Sequence, residues 1–215
     1  MVESSPGVAV EAVWALDQGS LPLGPFQELV ENLFSLPGGP VGSVVVTSPE
    51  PGAGRTSVCL GLGAALAGGV DGRRVAILDC NLKQPCLHRL FDKPNFTGLT
   101  NAIGNGKSPA AYGFEVAPGL LVIPSGPLLP DAEARMKSDG LVEAVRAMRE
   151  DFDVLLLDGP VAREVLDSPV LSRGFGGVLL VIHATRTPKN DARGATDDLL
   201  DAGVNLLGVV LNGIA

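Results

Sequence analysis

A loop rich in glycine and proline near residue 50 constrains the fold of this chain more than any other feature. The apolar residues Val44–Val46 before it predict a buried strand, and the apolar stretch Val58–Leu66 after it predicts a helix that begins near Thr56. Strand, glycine loop and helix in this order are typical of the phosphate-binding loop, G-x-x-x-x-G-K-[ST], in which backbone N–H groups and a helix N-terminus surround an anion. The sequence therefore predicts an anion-binding loop between this strand and this helix.

The loop matches the second half of the pattern better than the first. Gly54 and Thr56 occupy their expected slots, and Gly52 and Gly54 can adopt the positive φ angles that turn N–H groups inward. Pro49 stands in the slot of the first glycine, and Arg55 stands in the slot of the lysine. Because arginine is a planar fork and lysine a compact charge, the second departure bears on chemistry. The chain is therefore either a working nucleotide enzyme or a protein that only holds nucleotide.

Strand and helix candidates alternate along the 215 residues, of which 46% are apolar. The strand candidates are residues 43–47, 74–79, 120–124, 153–158, 176–183 and 206–212. The helix candidates are residues 25–36, 56–68, 131–150 and 188–202, the last with Thr187 as its cap, and residues 92–118 form an excursion with a short helix. The alternation predicts an α/β fold, a doubly wound and mostly parallel sheet with helices on both faces. We expect an irregular leader at residues 1–24 and one P-loop nucleotide-binding domain at residues 25–215.

Net charge, cysteine content and the length of the apolar segments indicate which partners and which cellular compartment to expect. The net charge of −8 argues against nucleic acid, because nucleic-acid binders carry a basic stripe. Three cysteines without a C-x-x-C pair or a signal peptide indicate reduced thiols in a cytoplasmic protein. The apolar segments are too short or too rich in glycine to span a bilayer. We therefore expect no direct membrane insertion, and any membrane association must come through a partner.

Two aspartates end apolar strands and become candidates for chemistry. Asp79 follows Val75–Leu78, and Asp158 follows Val154–Leu157, as in a Walker B strand whose carboxylate holds Mg²⁺. Both carboxylates should lie at the carboxyl edge of the sheet, where ligands bind in open α/β folds. An aspartate in this position is also a common helix cap or turn former. The two aspartates and the glycine loop together favour a nucleotide site.

Three segments together resemble the bacterial tyrosine kinases (BY-kinases), the cytoplasmic domains of polysaccharide co-polymerases. Residues 79–91, beginning Asp79-Cys80-Asn81-Leu82-Lys83-Gln84-Pro85, resemble the Walker A′ segment of that family. Residues 158–161 resemble its Walker B motif, and residues 207–213 resemble its terminal strand. The resemblance covers about residues 25–215 and places the chain among the P-loop ATPases related to MinD and ParA. It implies a role for ATP, ADP and Mg²⁺ in regulating exopolysaccharide or capsule synthesis and export.

The resemblance also implies roles for individual residues. The positions that surround the nucleotide are Gly52, Ala53, Gly54, Arg55, Thr56, Ser57 and Asn212, with Asn212 near the adenine. Thr56 and Asp158 would hold Mg²⁺, and Asp79 would help to activate the acceptor hydroxyl. The catalytic positions are Arg55, Asp79 and Asn81. Phosphoryl transfer depends mainly on charge neutralisation and alignment, which such a set can provide.

Several departures from the family pattern limit what the chain should do. Arg55 replaces a lysine, Asn81 replaces the second aspartate of Walker A′, and Lys83 replaces an arginine. The assembly helix of the family carries two arginines that residues 24–33 lack, so we expect a monomer or a dimer in isolation and not a ring. Tyr112 is the only tyrosine and no tyrosine-rich tail follows, so we expect no autophosphorylation of a tail.

Three functions remain open from the sequence. The first is a kinase or ATPase with impaired turnover that regulates polysaccharide export. The second is a nucleotide-binding or scaffold module, a pseudokinase, that assembles with a membrane polysaccharide co-polymerase or activator protein. The third is a positioning ATPase of the MinD/ParA type, which is disfavoured because Glu50 stands where such proteins carry a signature lysine.

Overall fold

The computed structural model describes residues 23–35, 42–69, 72–128 and 130–213. Most of the expected leader at residues 1–24 lies outside the described residues, as does residue 36, the last of the first helix candidate. Residues 23 and 24 already belong to the helix that was expected to begin at Pro25.

Seven strands form one sheet, and all neighbouring pairs are parallel except the first pair at one edge. The strands are β1 (Ser43–Thr47), β2 (Val75–Asp79), β3 (Phe114–Ala117), β4 (Leu120–Ile123), β5 (Val154–Asp158), β6 (Gly177–His183) and β7 (Leu206–Asn212). Their order across the sheet is β3-β4-β2-β5-β1-β6-β7, with β3 antiparallel to β4. The predicted mostly parallel sheet is confirmed, and each of the six predicted strands is present to within one residue at each end.

Nine α-helices lie in the described part of the chain. They are α1 (Leu23–Phe34), α2 (Arg55–Ala67), α3 (Leu87–Leu90), α4 (Leu99–Asn105), α5 (Ala132–Met136), α6 (Asp139–Ala147), α7 (Ala162–Leu166), α8 (Pro169–Arg173) and α9 (Lys189–Asp201). Two short 3₁₀ turns, at Pro109–Tyr112 and Met148–Glu150, complete the connections. Among these described helices, none has the length and apolar character needed to cross a bilayer.

The sequence prediction was wrong about some connections. One helix was expected over residues 131–150, but Ser138 takes an extended conformation (φ −95°, ψ 161°) and its hydroxyl donates to the carbonyl of Arg135, which separates α5 from α6. The short helices α3, α7 and α8 were missed because four or five residues are too few to show helical periodicity. Strand β3 was missed inside the excursion at residues 92–118, whose short helix is α4.

Alternate residues of the central strands face two apolar cores, so helices cover both sides of the sheet. Val44 and Val46 of β1 pack on the side of α1 and α2, and Val45 packs on the side of α5 to α9. Every residue of β1, β2 and β5 is buried. The carboxyl ends of these three adjacent strands therefore present their last side chains at one rigid edge, and this edge carries the candidate site.

Candidate nucleotide-binding site

The glycine loop joins the carboxyl end of β1 to the amino end of α2. Gly52 (φ 80°) and Gly54 (φ 98°) both adopt positive φ angles, as the sequence predicted. Gly54 directly precedes α2, and its carbonyl accepts the first helical hydrogen bond, from the N–H of Val58. Within the described residues, the N–H groups of Ala53 and Gly54 have no protein acceptor. Free N–H groups beside a helix N-terminus suit a phosphate oxygen.

Asp158 and Thr56 meet at the carboxyl end of β5. The Thr56 hydroxyl donates to Asp158 Oδ2 at 2.6 Å, and the aspartate is only 1% exposed. Asp158 Oδ1 is buried and has no hydrogen-bond partner in the described residues. Burial raises the pKa of Asp158 to about 6, whereas Thr56 and Arg55 act in the opposite direction. A hydroxyl and an unsatisfied carboxylate oxygen side by side fit the oxygen chemistry of Mg²⁺.

Asp79 stands next to Asp158 across the β2–β5 ladder and is fully buried. Its Oδ1 accepts the N–H of Asn81 at 3.2 Å, and its Oδ2 accepts the N–H groups of Cys86 at 3.0 Å and Leu87 at 3.2 Å. Burial first, and then the Asp158 charge, raise the pKa of Asp79 to about 7, against the effect of these three hydrogen bonds. In this conformation the Asp79 carboxylate organises the loop from residue 80 to residue 87, which is the turn-forming role left open by the sequence.

The arginine that replaces the loop lysine is turned towards the protein. Arg55 is 8% exposed, and its Nη1 donates to Ser48 Oγ at 3.2 Å. The Ser48 hydroxyl donates in turn to the carbonyl of Glu50 at 2.6 Å. The guanidinium therefore lowers the pKa of Asp158 by its charge, but it makes its hydrogen bond beneath the loop.

The other predicted residues take up different positions around this edge. Asn81 is 9% exposed at the start of the loop after β2, close to Asp79. Asn212, at the end of β7, donates from Nδ2 to the carbonyl of Ala53 at 2.9 Å, so it contacts the glycine loop itself. Ser57 is half-buried on the first turn of α2. The structure thus brings the loop, Asp79, Asp158 and Asn212 to one edge of the sheet.

Four further residues contact this site, and the sequence pattern predicts a role in it for none of them. Cys86 Sγ lies 3.1 Å from the Thr56 hydroxyl, and burial raises the pKa of this thiol to about 11. Arg186 Nη2 donates to the carbonyl of Gly52 at 2.9 Å. The Ser48 hydroxyl underlies Arg55, and the Thr187 hydroxyl donates to the Glu50 carboxylate. The last contact corrects the expected helix cap, because α9 begins at Lys189 and Pro188 occupies the cap position.

A metal ion at this edge would need ligands from outside the protein. In residues 23–35, 42–69, 72–128 and 130–213, no three histidine, cysteine or acidic side chains cluster so that they could hold an ion. Thr56 and Asp158 supply two oxygen positions. Mg²⁺ commonly uses one or two carboxylate or hydroxyl oxygens together with phosphate and water oxygens, so the sparse donor set fits an ion that arrives with a nucleotide.

Two relatives found by sequence comparison are both named as tyrosine-protein kinases. No known protein-family model matches the chain. The chain is 32% identical over 172 residues to the putative tyrosine-protein kinase EpsB of Ralstonia solanacearum, covering 80% of this chain and 23% of that protein. It is 29% identical to the tyrosine-protein kinase YwqD of Bacillus subtilis, covering 80% of this chain and 72% of that protein. The chain therefore spans about a quarter of the length of EpsB but most of the length of YwqD.

Solved structures show the same fold. The chimerical protein CapA2B2 superposes with a TM-score of 0.82 at 25% identity, covering 95% of this chain and 90% of that one. The kinase domain of the Escherichia coli tyrosine kinase ETK gives a TM-score of 0.82 at 23% identity, covering 94% and 80%. MinD of Pyrococcus horikoshii, solved with Mg-ADP, shares the fold at a TM-score of 0.64 and 19% identity, covering 79% and 69%. The chain is a divergent relative of the bacterial tyrosine kinases, built on the α/β fold of the P-loop NTPases.

Proposed function

We propose that the chain binds ATP and ADP with Mg²⁺ at the loop formed by residues 52–57. The observation that carries this proposal is Asp158, whose buried Oδ1 has no partner in the described residues while its Oδ2 accepts the Thr56 hydroxyl. The free N–H groups of Ala53 and Gly54 would bind phosphate oxygens, and Thr56 and Asp158 would hold the metal ion. The metal ion would neutralise the charge that develops on the phosphates during transfer.

We further propose that the nucleotide serves phosphoryl transfer or hydrolysis in a kinase-like regulator of exopolysaccharide or capsule synthesis. EpsB, YwqD and the ETK kinase domain support the kinase assignment. The partner in this proposal is a membrane polysaccharide co-polymerase or activator protein, which would bring a cytoplasmic domain to the membrane. Asp79 stands beside Asp158 and would act on the acceptor side of the site once the loop from residue 80 to residue 87 releases its carboxylate.

A second function is a regulatory module that holds nucleotide without turnover. It is favoured by Arg55, which replaces the loop lysine and donates beneath the loop to Ser48, and by Asn81, which replaces an acidic residue near Asp79. The positioning-ATPase alternative rests on the shared fold alone. At the slot of its signature lysine, Glu50 carries the opposite charge, and its carboxylate accepts the hydroxyl of Thr187.

Calorimetric titration with Mg-ATP and Mg-ADP tests the proposal. We expect binding of moderate affinity, because the loop N–H groups do not depend on the side chain at position 55. Thr56→Ala should weaken nucleotide binding by roughly tenfold with Mg²⁺ and by much less in EDTA, since it removes one metal ligand and a charge-assisted hydrogen bond. Thr196→Ala is a matched control, because this hydroxyl bonds within α9 to the carbonyl of Ala192. Equal losses with and without Mg²⁺ would contradict the role given to Thr56.

The assembly state provides an independent prediction. In the family pattern, arginines on the helix before β1 join subunits, and α1 carries Gln27 and Val30 in the corresponding stretch. Neither side chain can make the charge-assisted, bidentate bonds of an arginine. Light scattering of the isolated chain should therefore show a monomer or a dimer with and without Mg-ATP. A stable octamer in the absence of a partner would refute this expectation.

A further inference from the structure

Two side chains from the ends of β6 and β7 hold the outer edge of the glycine loop. Arg186 Nη2 donates to the carbonyl of Gly52, and Asn212 Nδ2 donates to the carbonyl of Ala53, both at 2.9 Å. Arg186 lies in the turn after β6, and Asn212 is the last residue of β7. Two consecutive carbonyls of the loop are thus bonded to groups that belong to neighbouring strand ends.

The peptide plane converts these two contacts into control of the phosphate donors. In a planar trans peptide, the C=O of one residue and the N–H of the next point in opposite directions. Fixing the carbonyl of Gly52 therefore fixes the N–H of Ala53, and fixing the carbonyl of Ala53 fixes the N–H of Gly54. Neither of these two N–H groups has a protein acceptor in the described part of the chain. The carbonyls point towards Arg186 and Asn212, so the N–H groups point the opposite way and stay free for phosphate.

The contact between Asn212 and the loop requires glycine at position 54. A Cβ atom at Gly54 would overlap the Nδ2 atom of Asn212, and Gly54 also needs its positive φ of 98°. The turn that carries Arg186 is itself fixed, because the N–H of His183 donates to the Thr187 hydroxyl at 2.8 Å and that hydroxyl donates to Glu50. The loop is therefore bonded to the ends of β6 and β7 at three positions, Glu50, Gly52 and Ala53.

We infer that Arg186 and Asn212 are positioning residues that preorganise the loop for phosphate, whichever base the nucleotide carries. This inference rests on the proposed function of the loop. It gives Asn212 a role beyond adenine contact, since one N–H of its amide donates to the carbonyl of Ala53. Preorganised donors bind an anion more tightly because less conformational entropy is lost on binding.

Inorganic tripolyphosphate with Mg²⁺ is the appropriate probe, because it presents phosphates without a base. We expect Asn212→Ala and Arg186→Ala each to weaken its binding about fivefold, the size of one lost hydrogen bond. Two controls match them. Asn205→Ala removes an equivalent amide bond, to the carbonyl of Gly176 at the other end of β7, and Arg193→Ala removes an equivalent positive charge from α9. Both controls should bind tripolyphosphate like the unmodified chain.

Amide hydrogen exchange without ligand gives a second readout that is independent of binding. Exchange at Val58, whose N–H donates to the carbonyl of Gly54, should accelerate in the Asn212 and Arg186 variants, while amides of β1 and β5 keep their protection. Acceleration throughout the sheet would indicate general destabilisation and overturn the inference. The inference is also overturned if Asn212→Ala loses affinity for Mg-ATP but not for tripolyphosphate, or if Arg186→Ala only equals Arg193→Ala. If the unmodified chain binds neither probe, the proposed function itself fails.

Discussion

Arg55→Lys is expected to raise the rate of ATP turnover by roughly 10-fold to 100-fold, because misplacing a catalytic charge by about 1 Å can cost on the order of 10² in rate. The structure gives the reason in the unmodified chain: the guanidinium donates to Ser48 beneath the loop and is almost fully buried. A lysine has no planar fork to satisfy there, and its compact ammonium can follow the β- and γ-phosphates. Phosphate release measured with saturating Mg-ATP would show the gain.

Asn81→Asp should increase this gain when it is combined with Arg55→Lys. The substitution restores a carboxylate close to Asp79, where it could assist deprotonation of an acceptor hydroxyl. It would also add negative charge near the metal site. The matched control for Arg55→Lys is Arg89→Lys, which also replaces an arginine by a lysine, but on α3. We expect slow hydrolysis and no tyrosine phosphorylation by the unmodified chain. Phosphorylation of a tyrosine peptide at ordinary kinase rates, or no change in the double variant, would contradict the roles given to Arg55 and Asn81.

The sequence could predict the carboxylates of the site because parallel strands end at one edge of the sheet. Asp79 and Asp158 each close an apolar strand, and the structure places them side by side in the β2–β5 ladder. One of the three N–H groups that Asp79 accepts, that of Asn81, also had a local signal, since an aspartate often bonds the N–H two residues ahead. Positive φ angles at Gly52 and Gly54 followed from the absence of a Cβ atom.

The contacts of Arg186 and Asn212 could not be predicted in the same way. They lie 134 and 159 residues from the carbonyls that they hold. Alternating strands and helices predict a parallel sheet, but they do not give the order of the strands, and that order puts β6 beside β1 and β7 beside β6. The turned-in position of Arg55 is equally hidden, because it depends on Ser48 and on the packing around the guanidinium rather than on any spacing in the sequence.

Because Asp79 and Asp158 are buried side by side, we expect a second large effect, on the stability of the metal-free chain. Burial raises the pKa of Asp158 from its ordinary value of 3.8 to about 6, and the pKa of the neighbouring Asp79 to about 7. Between these folded and unfolded values the folded chain binds more protons than the unfolded chain. The free energy of unfolding must therefore fall as the pH rises from about 4 to about 7. A metal ion bound beside Asp158 would offset this loss.

Asp158→Asn should stabilise the metal-free chain at about pH 7.5 by up to about 3 kcal/mol, since one pKa unit corresponds to about 1.4 kcal/mol. The amide oxygen can still accept the Thr56 hydroxyl, and position 158 no longer carries a buried charge. At about pH 4.5 the gain should be much smaller, and Asp151→Asn, which alters an exposed carboxylate, should change stability by about 0.5 kcal/mol or less at either pH. Denaturant unfolding in EDTA measures both values. The same variant should lose the Mg²⁺-dependent part of nucleotide binding. The Asp158 charge would then destabilise the metal-free chain and also bind the metal ion. Equal free energies of unfolding for the variant and the unmodified chain at about pH 7.5 would show that burial of the ionised Asp158 carboxylate does not destabilise the fold.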